Sequence, residues 1–441
     1  MKKNYSIVFS FSLCSLAAVV LSCSDIDNTL SFQEERNYVG CPNGQIEKQR
    51  SSSDAIAIVS DFRSRCSTRS SIPEEIVVDY VLSGDIISDS VIQEQLVVDT
   101  MLYILNVNDS DGFYLVSGDR MMPDIVGYSD NGHFSWNCEQ TEEANSYILN
   151  LYANYYLSSI EVPFDPIDPT HPVDPWLPPV APWHPDSVVI IRDYIDYSPW
   201  YTLDSISPLV PVEWNQGYPF NAKLVDPATG HLFAAGCLPI AVAQLLTYYR
   251  RPTGSFMDYI INDWDLITGP IPSLIDSNYG QYASDVSTLV QWICEGLNCN
   301  YGLYSTTAYM SDVPPFLSTV GFNHPSSVYS YDSTTIVQSL RQQHPVIVFG
   351  TDQQDAGSGH AWVVDGLILK HRTVTYRNTF WGIINEYDEY QTMLHCNWGF
   401  QNASNGYYLE RVFDVYHNVM DPDLDADYYY KYNMSMIPNA Y

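Results

Sequence analysis

The chain has 441 residues, too long for one ordinary domain, so two or three domains are expected. Hydrophobic residues make up 46% of the chain, which is typical of globular rather than disordered proteins. With 19 Lys and Arg against 52 Asp and Glu, the formal net charge is −33. A field of that sign repels phosphate backbones and anionic lipid headgroups, so it argues against nucleic acid as a partner.

The first 23 residues predict a bacterial lipoprotein signal peptide. Two lysines near the start precede Ile7–Leu21, an uncharged, mostly apolar run of 15 residues. This run is shorter than the ~20 residues of a membrane-spanning helix, but it fits a secretory signal. Ser22-Cys23 then resembles a lipobox, in which Cys23 carries the lipid. The alternative is an ordinary signal peptide with an incidental Cys23. The prediction is an extracytoplasmic protein held at the membrane only through this lipid, or secreted after processing.

Residues 24–70 are polar and weakly patterned, which predicts a tether, and residues 71–160 predict a separate domain. In that domain, segments 99–108 and 112–118 predict two strands joined by a polar turn, which is hairpin chemistry. Residues 142–157 predict a helix with several large side chains to bury, namely Tyr147, Leu149, Leu151 and Tyr155.

A proline-rich linker is predicted over residues 161–205. Nine prolines occur between Pro163 and Pro185. Proline fixes φ and removes a hydrogen-bond donor, so this stretch favours a semi-rigid spacer over helix or central strand. Residues 206–441 follow and are long enough to bury a core of their own.

Residues 234–252 predict a buried helix with a cysteine at its N-terminus. Apolar residues recur at three- and four-residue steps, and Pro252 ends the pattern. Cys237 directly follows Gly236, so it lies at the positive end of the helix. A helix end together with an imidazolium can lower a cysteine pKa from ~8.5 to ~3.5–4, which makes the thiol a nucleophile. From this segment alone, an ordinary buried cysteine is the simpler alternative.

A histidine and an asparagine follow on predicted strands downstream. His360 begins a strand directly after a loop that ends in Gly359, and Asn397 lies at the end of a third strand. Asn397 can orient the imidazole through a hydrogen bond, and Trp398 can shield that bond from water. The order Cys, His, Asn, with separations of 123 and 37 residues, is typical of papain-like enzymes. Taken alone, the histidine could equally be a surface residue.

A glutamine lies upstream of the cysteine, at Gln216. Papain-like sites use such a side chain, together with the backbone N–H of the nucleophile, as two donors to the developing oxyanion. The loss of one such donor costs ~3–4 kcal/mol of barrier. A turn glutamine without a catalytic role is an equally good interpretation of the spacing.

The remaining cysteines form no metal motif. Seven cysteines lie outside the leader, and since seven is odd, at least one thiol stays free in an oxidising compartment. The spacing of Cys294 and Cys299 does not fit a zinc knuckle. The aspartates between 421 and 427 fail the EF-hand pattern, because Ala426 and Tyr432 replace its Gly and Glu. We therefore expect no metal and no organic cofactor.

These motifs resemble the streptopain family, a papain-like group of cysteine peptidases with a prodomain. The resemblance covers most of residues 75–441 apart from the proline-rich spacer. It rests on motifs in the same order as in the family, at residues 112–134, 214–221, 236–248, 301–313, 359–366, 397–399 and 405–407. Three departures leave substrate preference open, one of which is a C-terminal region without a glycine-rich loop. Leu238-Pro239-Ile240 replaces the usual Val-Ala-Thr, and Phe400 begins a turn that lacks the usual tryptophan and glycine.

The resemblance implies an α+β fold in which the helix bearing the nucleophile packs on an antiparallel sheet, preceded by an α+β prodomain. It implies a zymogen that hydrolyses peptide bonds in protein or peptide substrates through Cys237 and His360. The prodomain would be an intramolecular inhibitor, released by a cut within residues 163–205.

Two other functions fit the same residues. An amidase or transpeptidase would use the same acyl-thioester chemistry with another acceptor. A non-catalytic surface module, for binding or inhibition, would keep the fold alone. Serine hydrolase and zincin chemistry are excluded, since neither GxSxG nor HExxH occurs.

Overall fold

The structure is a computed structural model that describes residues 48–66, 75–83, 98–108, 111–136, 143–160, 193–252, 263–351, 359–378, 382–401, 404–413 and 432–441. The predicted signal peptide with Cys23, the proline-rich stretch 163–185 and the acidic stretch 421–427 lie outside these ranges. Within them, no helix combines the length and the apolar character needed to cross a membrane.

The N-terminal part forms a four-stranded antiparallel sheet with two helices. The helices are α1 (Ser52–Cys66) and α2 (Glu143–Ile160), and the strands are β1 (Ile76–Leu82), β2 (Thr100–Val107), β3 (Phe113–Ser117) and β4 (Ile125–Ser129). The predicted hairpin is confirmed, because β2 and β3 pair antiparallel with Tyr103 opposite Val116. The predicted helix is confirmed as α2, which buries all four of the expected side chains.

Helix α1 was not expected from the sequence, which indicated a tether in this range. Its Ala55 and Val59 are fully buried in a cluster with Tyr103 and Tyr114, and Phe62 packs edge-on against Tyr114 with ring centroids 5.8 Å apart. The apolar positions of α1 are few, so the sheet that covers them is what stabilises the helix. The predicted domain boundaries stay predictions.

The C-terminal part contains the predicted nucleophile helix and a larger antiparallel sheet. Its helices are α3 (Cys237–Tyr249), α4 (Trp264–Thr268), α5 (Tyr279–Gly296), α6 (Val313–Thr319) and α7 (Ser333–Arg341). Its strands are β5 (Asp193–Tyr197), β6 (Tyr201–Ile206), β7 (Tyr329–Ser330), β8 (Val346–Thr351), β9 (Gly359–Asn378), β10 (Gly382–Asn397), β11 (Gly406–Leu409) and β12 (Tyr432–Ile437). The α+β fold class is therefore confirmed.

One continuous antiparallel sheet joins the two parts. Its strand order is β1-β2-β3-β4-β11-β10-β9-β8-β12-β7, and β5 and β6 pair with β9 away from this path. The joint between the parts is β4 against β11, where Tyr128 faces Tyr407 and Gly127 faces Tyr408. A Cβ atom at Gly127 would lie 2.7 Å from the Tyr408 ring, so the joint requires glycine at that position. Strands β5 and β6 show that residues 193–206 lie against the C-terminal sheet.

Two hydrophobic cores position the helices. The nucleophile helix α3 packs on β9, β8 and α5, and its core includes Val242, Leu245 and Ile293. The second core is shared between the two parts of the chain, since Tyr147 and Leu151 of α2 lie in one cluster with Trp362 and Trp398 of the C-terminal part. The N-terminal part is thus packed into the C-terminal part through buried aromatic side chains.

Candidate active site

Cys237 is the first residue of α3, as the sequence predicts. Gly236 precedes it with a φ of 88°, in the region that glycine tolerates and other residues rarely adopt. A Cβ atom at Gly236 would lie 2.8 Å from the carbonyl oxygen of Thr306, so space as well as conformation requires glycine. The first N–H groups of a helix lack partners within it, so the thiol lies at an end that favours negative charge.

The structure brings Cys237 beside the strand that carries His360. The Cys237 Sγ atom is 3.9 Å from the carbonyl oxygen of Gly359, the residue directly before His360. Glycine is required at position 359, because a Cβ atom there would lie 2.6 Å from the Phe349 ring. The two residues that the sequence predicts as nucleophile and base are therefore neighbours in space.

His360 lies in the interior at the start of β9, with 1% of its surface exposed. Its Nε2 atom is 2.9 Å from the backbone oxygen of Trp398. A carbonyl only accepts hydrogen bonds, so Nε2 carries the hydrogen and Nδ1 keeps its lone pair. Nδ1 has no hydrogen-bond partner among the described residues. In this orientation Nδ1 is the atom able to take up a proton.

The burial of His360 also sets its charge. The Phe400 ring lies 5.2 Å from the imidazole and the Trp398 ring 6.0 Å from it, centroid to centroid. Burial lowers the pKa of His360 from 6.5 to about 4, although the bond to the Trp398 oxygen opposes the shift. At neutral pH the imidazole is therefore uncharged, whereas a thiolate–imidazolium pair requires it to be protonated.

Helix α2 contributes to this burial through Tyr147. The Tyr147 ring lies 6.3 Å from the His360 ring and 5.5 Å from the Trp362 ring, and its hydroxyl is 3.4 Å from the Met434 sulfur. Gly350 leaves room for that hydroxyl, since a Cβ atom there would lie 1.9 Å from it. The N-terminal part of the chain thus reaches the histidine of the candidate site directly.

A second contact links α2 to the turn that follows β10. Asn145 is fully buried, donates to the Ser135 carbonyl at 2.7 Å and accepts a hydrogen bond from Ser404. The neighbouring Asn405 accepts from the backbone N–H of Trp398 at 2.9 Å. The sequence does not indicate that Tyr147 and Asn145 lie at the candidate site. The helical pattern of α2 indicates that Tyr147 is buried, but it does not reveal what covers it.

Asn397 does not bond to His360 in this structure, so its orienting role stays a prediction. Its Nδ2 atom donates to the carbonyl of Val212 at 2.8 Å, and its Oδ1 atom accepts from the Gly399 N–H at 3.4 Å. The backbone oxygen of Trp398 takes the place of the side-chain acceptor. Trp398 is fully buried beside the imidazole, which is consistent with its predicted shielding position.

Gln216 lies next to the segment that leads into the nucleophile. Its backbone oxygen accepts from the Ala235 N–H at 3.0 Å, two residues before Cys237. Its side chain is half-buried. The backbone of Gln216 is therefore held beside the segment that precedes Cys237, and its role as an oxyanion donor stays a prediction. Among the described residues, no cluster of three His, Cys, Asp or Glu side chains could hold a metal ion.

A thiol at a helix N-terminus, beside a histidine on an antiparallel sheet, defines the papain-like class of cysteine peptidases. Comparison with known families agrees with this class. Residues 214–408 match the model of the peptidase C10 family, and residues 51–156 match that of the Spi protease inhibitor. The C-terminal part of the chain therefore matches a cysteine peptidase of the C10 family, and the N-terminal part matches a prodomain-like inhibitor domain ahead of it.

Individual relatives are distant. The thiol protease/hemagglutinin PrtT of Porphyromonas gingivalis is 22% identical over 350 residues, which cover 74% of this chain but only 34% of PrtT. Streptopain of Streptococcus pyogenes is 22% identical over 350 residues, with 70% of this chain and 73% of streptopain covered.

Two solved structures from Prevotella intermedia are also similar. A prointerpain A fragment aligns with a TM-score of 0.48 at 18% identity and covers 76% of this chain and 94% of the fragment. Active interpain A aligns with a TM-score of 0.35 at 24% identity and covers 46% of this chain and 85% of interpain A.

Proposed function

We propose that the chain is a cysteine endopeptidase made as a zymogen, with Cys237 as nucleophile and His360 as base. The observation that carries this proposal is the contact of the Cys237 thiol, at the N-terminus of α3, with the backbone that leads into His360. Protein or peptide substrates fit the peptidase C10 family. A surface module without catalysis would not need a thiol and an imidazole nitrogen at this place.

The reaction begins with transfer of the thiol proton to Nδ1 of His360. The Cys237 thiolate then attacks the carbonyl carbon of the scissile peptide bond. The oxyanion receives hydrogen bonds from the backbone N–H of Cys237 and from the Gln216 side chain. Nδ1 returns its proton to the leaving amine, and water hydrolyses the thioester to free the enzyme. After release of the prodomain, the Asn397 side-chain oxygen would replace the Trp398 oxygen as the acceptor from Nε2.

Latency follows from the buried, neutral state of His360. An uncharged imidazole cannot pair with a thiolate, so the nucleophile lacks the partner that would keep it ionised at neutral pH. Tyr147 of α2 supplies part of the burial, and Asn145 holds the turn that carries Trp398. A cut within residues 163–205 would free α2 to leave and would let water reach His360.

Export and lipid attachment form a separate part of the proposal. Cys23 would carry the lipid and would hold the enzyme at a membrane outside the cytoplasm. The sequence of the first 23 residues supports this part. In the bacterial host, the Cys23→Ala variant should move from the membrane fraction to the soluble fraction and lose the mass of the acyl chains. A Cys23→Ala variant that stays in the membrane fraction would contradict lipid attachment.

The peptidase proposal is tested by labelling and proteolysis together. Purified chain is treated with a thiol-directed peptide epoxide before and after limited proteolysis, and the adduct is mapped by mass spectrometry. We expect labelling at Cys237, with casein cleavage after the prodomain is cut, and neither in Cys237→Ala. Labelling without cleavage of any peptide would favour another acyl acceptor. Absence of labelling after prodomain removal would contradict an activated thiol.

A further inference from the structure

The C-terminus of α5 brings two cysteines together. The Cys299 N–H donates to the Cys294 carbonyl at 2.9 Å, and the Asn298 N–H donates to the Glu295 carbonyl at 3.2 Å. Asn298 has a φ of 51°. These two bonds and one left-handed residue make a Schellman cap, in which the first and last side chains come into contact. Here those two side chains are the thiols of Cys294 and Cys299. The cap therefore accounts for the separation of the two cysteines in the sequence, which does not fit a zinc motif.

The two thiols are not equivalent. Cys294 is fully buried, whereas Cys299 is half-buried, so solvent reaches only the second. The interaction between the two thiols lowers the pKa of the Cys299 thiol and, together with burial, raises the pKa of the Cys294 thiol. Because the thiolate is the form that attacks a disulfide, Cys299 is suited to react first and Cys294 second.

Both cysteines are linked to the segment that ends at the nucleophile. The Cys294 thiol donates to the Ala235 carbonyl at 3.6 Å. Residues 300–307, which begin directly after Cys299, hold Ala234 from both sides. The Ala234 N–H donates to the Gly302 carbonyl at 3.1 Å, and the Thr306 hydroxyl donates to the Ala234 carbonyl at 2.6 Å. Cys299 is therefore connected, through residues 300–307, to the backbone at Ala234, three residues before Cys237.

We propose that Cys294 and Cys299 form a reversible disulfide, by exchange with a small-molecule or protein disulfide, that anchors residues 300–307 beside the nucleophile. Cys299 thiolate attacks one sulfur of the incoming disulfide and expels one thiolate. Cys294 then loses its proton and attacks the Cys299 sulfur, which expels the second thiolate. Two protein thiols are oxidised and one external disulfide is reduced to two thiols, so atoms and electrons balance.

The chain offers a direct test, because Glu295 lies between the two cysteines. The full chain with Cys237→Ala is equilibrated with oxidised and reduced glutathione, alkylated, and digested with trypsin and a glutamyl endopeptidase. Peptides 251–295 and 296–341 then carry one cysteine each. We expect them to be linked in the oxidised sample and separated by reduction. Alkylation of both cysteines after equilibration with oxidised glutathione, or a link from either to another cysteine, would overturn the proposal.

Variants at the cap provide matched controls. Cys299→Ser should abolish the link, and Asn298→Gly, which keeps the left-handed residue, should leave the extent of oxidation unchanged at each glutathione ratio. Asn298→Val, strained at that φ, should require a more oxidising ratio. Hydrogen exchange at the amides of Asn300 and Thr307, which bond to each other, should be slower in the oxidised chain. Equal exchange in both forms would overturn the anchoring. Since Cys237 is replaced throughout, the result does not depend on peptidase activity.

Discussion

Replacement of Tyr147 should release His360 from its buried, neutral state without any cut in the chain. Tyr147→Ala removes a ring that lies 6.3 Å from the imidazole and packs against Trp362 and Trp398. The space left between α2 and the peptidase sheet would admit water. The desolvation that lowers the pKa of His360 would then weaken.

The size of the effect follows from the pKa of about 4 for the buried imidazole. At pH 6 such a group is about 1% protonated, whereas a group at the ordinary value of 6.5 is about three-quarters protonated. Full recovery would correspond to about 3 kcal/mol, which is an upper bound because the Phe400 and Trp398 rings remain in place. The loss of the tyrosine ring would also cost about 3–5 kcal/mol of packing in the shared core. The gain in protonation and the loss of packing both favour a state in which the His360 imidazole is exposed to water.

The assay is an NMR titration of His360 in the intact chain with Cys237→Ala, which prevents self-cleavage. The His360 ring signal is assigned by its loss in His360→Gln. We expect the titration midpoint in Tyr147→Ala to rise by at least one pH unit above that of the parent chain. Tyr147→Phe is the matched control, since it keeps the ring and loses only the hydroxyl near the Met434 sulfur. Equal midpoints in the alanine variant and the parent would refute the role of Tyr147.

Three further outcomes are expected. In the activated enzyme, Gln216→Ala should lower kcat by about 10²–10³ with little change in KM, and an unchanged kcat would rule out an oxyanion role. Asn397→Ala should destabilise the fold by about 1–3 kcal/mol in urea unfolding, because it leaves the Val212 carbonyl without its donor; Asn397→Asp, which lacks the amide, should do the same. The intact chain should lose stability as pH falls from about 6.5 to 4, because the unfolded state binds the His360 proton at higher pH than the folded state does. His360→Gln should flatten the dependence of the unfolding free energy on pH, and an unchanged dependence would contradict a buried neutral imidazole.

The nucleophile helix was predictable because its signals are local. The position of Cys237, the glycine before it and the proline that ends the pattern all lie within residues 234–252. The hairpin β2–β3 was predictable for the same reason. In each case the alternation or helical spacing of apolar residues within one short segment is enough to predict the element.

The partners of His360 were not predictable, because they depend on packing between distant segments. The Asn397 amide donates to the Val212 carbonyl, 185 residues earlier in the chain, and makes no bond to the imidazole. Trp398 becomes the acceptor through a turn in which Gly399 has a φ of 75°. The sequence around Tyr147 does not indicate that its ring lies beside His360. The sequence of α1 does not indicate that Tyr103 and Tyr114 cover it.

The strand pair β4–β11 has a consequence for the time course of activation. A cut in the linker breaks only the covalent connection, while the pairing of Tyr128 with Tyr407 and the shared aromatic core stay intact. The cleaved prodomain would then be a bound second molecule, whose release obeys mass action. Activity should therefore appear after a lag set by dissociation of the prodomain, should reach a higher final level per enzyme on dilution, and should fall again when free prodomain is added back.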